Sequence, residues 1–248
     1  MNKIKKFLSN EIKTRKAELS IYEYLSWWLV RALLAGALIN LIVNHPGNMN
    51  ILMVSLNILA SFAVPLVRII FSPIRFIRKM PFRTQTILNI IIFFGSFFGQ
   101  GLDFYAKHPG WDKFLHFLAG GVVVFIGNEL IKMFIRKNDR VSPLLRSVAS
   151  SGVSSVVIIA WELFEFIVDF YWPGSANQAY DVIPNPDMIF YKIFGFGAQN
   201  EGQAAVIDTD IDMLYALFAN ALATIALAFI LRRAERKKQL KEKQAVTV

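Results

Sequence analysis

Long apolar runs alternate with short basic patches along this chain, and that alternation limits how it can fold. The runs cover residues 27–43, 51–71, 87–105, 114–134, 148–172 and 211–231. A helix of about 17–25 mostly apolar residues crosses the ~30 Å hydrocarbon core of a bilayer. Composition agrees: 55% of the 248 residues are apolar and 22 are Phe, above the usual ~45–50% apolar share of soluble domains. The expected fold is all-α, a polytopic integral membrane bundle of six transmembrane helices.

The connections set the orientation. Lys3, Lys5, Lys6, Lys13, Arg15 and Lys16 precede the first run, whereas the link around His45 and Pro46 has no Lys or Arg. Arg75, Arg78, Lys79 and Arg83 follow the second run, but only Lys107 and Lys113 follow the third. Arg136, Lys137, Arg140 and Arg146 follow the fourth. The link 173–207 has only Lys192, and the tail has Arg232, Arg233, Arg236, Lys237, Lys238, Lys241 and Lys243. Cytoplasmic connections carry the excess of Lys and Arg, so both termini are expected in the cytoplasm. Trp27 and Trp28 would mark an inner aromatic belt, and Tyr105, Trp111, Tyr171 and Trp172 an outer one.

This divides the chain into a cytoplasmic segment 1–26, a membrane domain 27–231 with an outer loop 173–207, and a basic cytoplasmic tail 232–248. Ile4, Phe7, Leu8 and Ile12 recur at helical spacing between lysines, as in a helix lying on the membrane surface. Residues 1–16 are charged throughout, which is not the layout of a signal peptide. Gly95, Gly99, Gly120, Gly121 and the serines of 147–155 suit close helix packing, and Pro65 predicts a kink in the second span. The outer loop contains MIFYKIFGFG (188–197), too short to span and read as a lid or re-entrant piece.

The basic excess, a net charge of +9, is explained by topology and anionic lipid. No basic groove or nucleic-acid motif accompanies it, so no nucleic-acid partner is expected. The absence of cysteine excludes disulfides, thiolate metal sites and a Cys nucleophile.

Acidic residues inside the fifth run are harder to place. In WELFEFIVD (161–169), Glu162, Glu165 and Asp169 fall within about 60° of arc on one helix face. Glu162 lies ten residues before Trp172, hence about 15 Å deeper. A charge near mid-membrane costs about 2.5–3.5 kcal/mol, so Glu162 and Glu165 should face partners, water or protons. Other runs bring polar groups to the same outer half: Asp112 and His116 on the fourth; Asp208, Asp212, Tyr215 and Asn220 on the sixth; Gln100 and Asp103 on the third. Taken singly, Asp208 or Thr209 could cap the sixth helix and Asp112 the fourth, and Asp169 could be solvated. The cytoplasmic halves hold fewer such groups: Asn128, and Glu129 paired with Lys132.

Three segments in order, W-D-K-x-x-H-F, W-E-L-x-E-F and D-T-x-x-D-M, resemble bacterial inner-membrane proteins of the YjdF type, a family described only as a domain of unknown function. The resemblance covers roughly residues 87–230. A weaker similarity links the chain to VanZ-like proteins, which share Asp-Lys-x-x-His on one helix and an Asp…Asn pattern on a later one. Those proteins favour N-x-x-G on the last helix, whereas here Asn220 is followed by Ala223. The resemblance marks Asp112, Lys113, His116, Glu162, Glu165, Asp208 and Asp212 as the motif positions. It implies a multi-pass protein of the bacterial cytoplasmic membrane, with a suggested role in the cell envelope.

Three functions compete. In a membrane-embedded enzyme acting on a lipid or lipid-linked substrate, Asp112, His116, Asp208 and Asp212 bind a divalent metal, and Glu162 or Glu165 is the general base. Gln100, Asp103, Asp169, Tyr215 and Asn220 line the site. One imidazole with several carboxylates suits Mg²⁺, Mn²⁺ or non-haem iron. The alternatives are a proton-coupled transporter and a structural or immunity-type protein whose polar cluster locks helices together. Membrane lipids are the expected partners, with homo-oligomers an open option and no soluble partner indicated. Single cysteines at Asp112 and in 173–207 should react with impermeant thiol reagents added outside the cell. Labelling only from the cytoplasmic side would overturn the orientation.

Overall fold

The computed structural model describes residues 3–45, 50–74, 76–108, 110–136, 140–171, 183–184, 198–199 and 204–246. Its helices are α1 (Lys3–Glu18), α2 (Ile21–Asn44), α3 (Asn50–Ala60), α4 (Ala63–Ile70), α5 (Arg83–Ile92), α6 (Phe104–Lys107), α7 (Trp111–Lys132), α8 (Pro143–Tyr171) and α9 (Ala204–Val246). A π-helical stretch, Phe93–Gly101, continues α5 without a break. Residues Ile183–Pro184 and Ala198–Gln199 pair as a short antiparallel ladder. The expected segment 188–197 lies outside the described residues.

Helices α2, α7, α8 and α9 are each long and apolar enough to cross a membrane, and the bent pair α3–α4 makes a fifth candidate. The protein is therefore all-helical with four or five candidate spans.

The bend between α3 and α4 is 58°, and the sequence explains it. Pro65 has no N–H for the carbonyl of Ser61, one turn back. That carbonyl accepts instead from Arg31 Nη2 at 2.6 Å, and Arg31 Nε reaches Ser61 Oγ at 3.2 Å. The guanidinium also lies 3.6 Å from the Phe62 ring centre. Gln85 fills the second gap, since its Oε1 accepts from Val64 N–H at 2.9 Å and its Nε2 donates to Ala60 O at 3.2 Å. An unsatisfied backbone group in hydrocarbon costs on the order of several kcal/mol, so these two side chains let the helix break inside the bundle.

Ser20 starts α2 with a capping box: its Oγ accepts from Glu23 N–H while Glu23 accepts from Ser20 N–H. The N-terminal residues are helical as expected, forming α1, which is pinned to the bundle. Glu11 binds Arg68 at 2.7 Å and Glu18 accepts from Phe82 N–H at 2.7 Å. Of its apolar positions, Ile12 is exposed, and the side chains of Ile4, Phe7 and Leu8 lie outside the description. Trp27 is fully buried and donates to Thr86 Oγ1 at 2.9 Å. It is therefore a core residue, while Trp28 faces outward. Val30, Leu34, Leu41, Val54 and Ile92 form the core of this half.

Helices α7, α8 and α9 pack on one another and form the second half. Small residues permit the approach. A Cβ at Gly120 would overlap the backbone of Ala216 on α9, and one at Gly127 would lie 2.7 Å from Ser150 O on α8. Ser154 Oγ donates to Gly120 O at 3.0 Å, a tie suited to lipid-embedded helices. Gly120→Ala should therefore overpack the α7–α9 contact and cost about 1–3 kcal/mol. Gly121→Ala, whose nearest neighbours would be 3.8 Å away, should stay within about 0.5 kcal/mol. Denaturation of both variants in detergent micelles checks the contrast.

Candidate functional site

The acidic face of α8 meets the beginnings of α7 and α9. Helix α7 runs from its first turn, where Asp112 and Lys113 sit, to His116 one turn deeper. Helix α9 begins at Ala204, one turn before Asp208. Asp208 and Thr209 are therefore inside the helix and do not cap it, because Ala204–Ile207 already supply the first turn. Gly110, with φ of 84°, occupies the N-cap of α7, which puts Asp112 in the first turn and not at the cap.

Lys113 organises one wall. Its Nζ lies 2.5 Å from Asp208 Oδ1, 2.8 Å from Asp212 Oδ2 and 3.2 Å from Asp112 Oδ2. The ammonium thus joins α7 to α9 through three carboxylates, in a setting where the Lys113 side chain is 23% exposed. A charge pair at this depth is stabilising only when its members are well hydrogen-bonded.

His116 joins that wall to the second. Its Nε2 is 3.6 Å from Asp112 Oδ1 and 4.0 Å from Asp212 Oδ2, and its Nδ1 is 3.3 Å from Glu162 Oε1. The contact to Glu162 is close but outside hydrogen-bond geometry. Neither oxygen of Glu162 accepts a hydrogen bond among the described residues, nor does Asp212 Oδ1, although all three are buried. The Thr209 hydroxyl of α9 is a candidate donor to the Glu162 carboxylate, outside good hydrogen-bond geometry. Glu165 differs in having an anchor: Trp161 Nε1 donates to its Oε1 at 2.7 Å. Asp169 is fully buried one turn further along α8.

Two groups bring metal-ligating atoms within 4.8 Å of one another: Asp112, His116 and Asp212, and His116, Glu162 and Glu165. The imidazole belongs to both, one nitrogen to each. Five carboxylates from three helices thus converge on one lysine and one histidine.

The other expected lining residues have contacts or exposure of their own. Asn220 is tied to α8, where its Oδ1 accepts from Ser151 Oγ at 2.6 Å and its Nδ2 donates to Ser151 O at 3.1 Å. It sits two turns from Asp212, about 12 Å along α9, and works as a helix tie. Gln100 accepts from Ser96 Oγ at 3.0 Å within the π stretch. Asp103 is exposed and adopts φ of 62°, the left-handed conformation that ends the π stretch and that Asp tolerates better than most residues. Tyr215 points outward, 45% exposed. Fixed helical spacing put these residues near the acidic face in projection, but it does not say which direction each helix turns toward its neighbours.

Lys113 and Trp161 carry more of the site than their sequence positions suggested. Lys113 stands in a link with one other basic residue, Lys107, and is marked only by the family resemblance, while Trp161 has no role assigned from sequence. Their signal was spacing: Lys113 next to Asp112, and Trp161 four residues before Glu165.

Removing Lys113 leaves its three aspartates uncompensated. Lys113→Met should lower stability by about 3–5 kcal/mol. The double variant Lys113→Met/Asp212→Asn should lose less than the two single losses combined. Thermal midpoints in one detergent test both, and a single variant indistinguishable from wild type would remove the lysine as the tie.

A family model described as "Predicted membrane protein (DUF2238)" matches residues 25–233. An uncharacterised protein of Thermotoga maritima is 33% identical over 101 residues, which is 41% of this chain and 52% of that protein. The chain therefore spans about half the length of that relative. No solved structure matches. The match covers most of the chain and the whole carboxylate cluster, so this multi-pass membrane protein belongs to the DUF2238 family of predicted membrane proteins.

Proposed function

We propose that this protein is a membrane-embedded, divalent-metal-dependent enzyme acting on a lipid or lipid-linked phosphate of the bacterial cell envelope. One observation carries the reading: the buried Glu162 carboxylate stands 3.3 Å from His116 with neither oxygen in a well-formed hydrogen bond. A bare carboxylate in such a place costs several kcal/mol unless an ion or a proton neutralises it. The one lysine of the cluster is already held by three aspartates.

That commitment reverses the roles expected from sequence. Because Lys113 already neutralises the aspartate wall, the ion belongs with His116, Glu162 and Glu165. Trp161 holds one oxygen of Glu165 and orients the other, as outer partners of metal ligands commonly do. Asp212, with Oδ1 free of hydrogen bonds, is the carboxylate left to accept a proton from an attacking water. A single imidazole among carboxylates suits Mg²⁺, Mn²⁺ or ferrous iron better than a closed zinc site. Bound there, such an ion would supply Lewis-acid activation of a phosphate ester.

The same reading sets the protein across the membrane six times: α2, the bent α3–α4 pair, α5 with its π continuation, α7, α8 and α9. The Lys and Arg pattern puts both termini in the cytoplasm and the carboxylate cluster in the outer half of the bilayer. Membrane lipid is then both partner and source of substrate. Transport through the broken α3–α4 pair is less favoured, since Arg31 and Gln85 already occupy the backbone groups that the break releases.

Metal analysis of purified protein tests the proposal. Wild type should retain about one divalent ion per chain, and Glu162→Gln should lower its affinity by about tenfold or more. Hydrolysis of phosphate-bearing lipids should fall in parallel. Negligible metal in both proteins would sink the reading.

A further inference from the structure

The far end of the α7–α8–α9 unit has a separate feature. A cavity of about 380 Å³ lies between the start of α8 and the extension of α9 beyond Leu231, lined by Arg140, Arg146, Glu235, Lys238 and Glu242 among others. A second cavity of about 210 Å³ lies along the same two helices on the membrane side, lined by Leu144, Thr224, Ile225, Ala228, Phe229 and Arg232. One is charged, the other almost wholly apolar, and along α9 they follow one another.

Arg146 gives the charged cavity its chemistry. Its Nε and Nη2 are buried and make no hydrogen bond. Glu129 of α7 acts on Arg146 electrostatically but is itself tied to Lys132. Helix α8 begins beside it at Pro143, where Leu145 N–H donates to the Ser142 hydroxyl and Arg146 N–H to the Ser142 carbonyl, and the helix end adds positive potential. The lining charges are Arg140, Arg146 and Lys238 against Glu235 and Glu242, with Glu242 drawn toward Lys238 at 3.8 Å. An excess of one positive charge suits a singly charged phosphodiester better than a doubly charged free phosphate. The guanidinium fork matches phosphate oxygens.

We infer that this end of the protein holds one anionic phospholipid, its phosphodiester against Arg140 and Arg146 and an acyl chain in the groove of Leu144, Ala228 and Phe229. This site lies apart from the carboxylate cluster and would serve to anchor α8 and α9 at the membrane surface. It uses none of the residues assigned to metal or substrate.

The test uses the full chain in phosphatidylcholine nanodiscs doped with phosphatidylglycerol, with retained lipid counted by native mass spectrometry. Wild type should keep phosphatidylglycerol through delipidation. Arg146→Gln, which removes the phosphate contact, and Ala228→Phe, which fills the groove but leaves every charge, should each retain about tenfold less. Should Arg146→Gln fail to fold, Ala228→Phe decides alone. Metal content should match wild type in both, which separates this site from the carboxylate cluster. Retention equal to wild type in the folded variants would overturn the inference. So would displacement of the lipid by inorganic phosphate as readily as by added phosphatidylglycerol, which would make this a free-phosphate site.

Discussion

Lys113 is the charge on which the rest of the membrane domain turns. Held by Asp112, Asp208 and Asp212, it fixes the first turn of α7 against α9. That docking brings Gly120 onto Ala216 two turns deeper, and it points His116 at the acidic face of α8. Because the ammonium is used up in this tie, it cannot also neutralise Glu162. The open end of the cluster and its closed end follow from the same lysine.

Elsewhere the bundle compensates its buried polar groups with care. The gap left by Pro65 is closed by Arg31 and Gln85. Asn220 satisfies its amide on Ser151 and Ser155. Arg68 is matched by Glu11 and the Met80 carbonyl. Unpaired polar groups are expensive in a low-dielectric interior, yet single buried atoms of Thr84, Asn89, Trp111, Asn128 and Asp212 are left without a hydrogen bond among the described residues. Glu162 differs in being a buried carboxylate with neither oxygen in a well-formed hydrogen bond and a histidine 3.3 Å away.

Much of this was legible in one dimension. Hydropathy located the candidate spans because a bilayer imposes a length and a composition on any helix that crosses it. The helical period put Glu162, Glu165 and Asp169 on one face, and all three are buried. Asp112, His116, Asp208 and Asp212 do converge on that face. Other expectations depended on direction, which period alone does not carry. Asn220 and Gln100 form local ties, Asp103 turns the chain, and Tyr215 faces outward. The ties of Arg31, Arg68 and Gln85 have no local sequence signal, since their partners lie 30, 57 and 21–25 residues away in sequence.

By itself, the sequence determined an all-helical membrane protein with an acidic stripe on one helix, because hydrophobic length and the 3.6-residue period are local properties of a chain. Tertiary structure alone decided which groups neutralise that stripe. Asp212 and Glu162 lie equally well on acidic faces, but only the packing of α7 against α8 and α9 gives the lysine to one and the imidazole to the other. Electrostatic compensation falls off with distance in space, and helices 50 residues apart in sequence have no spacing rule that reveals it.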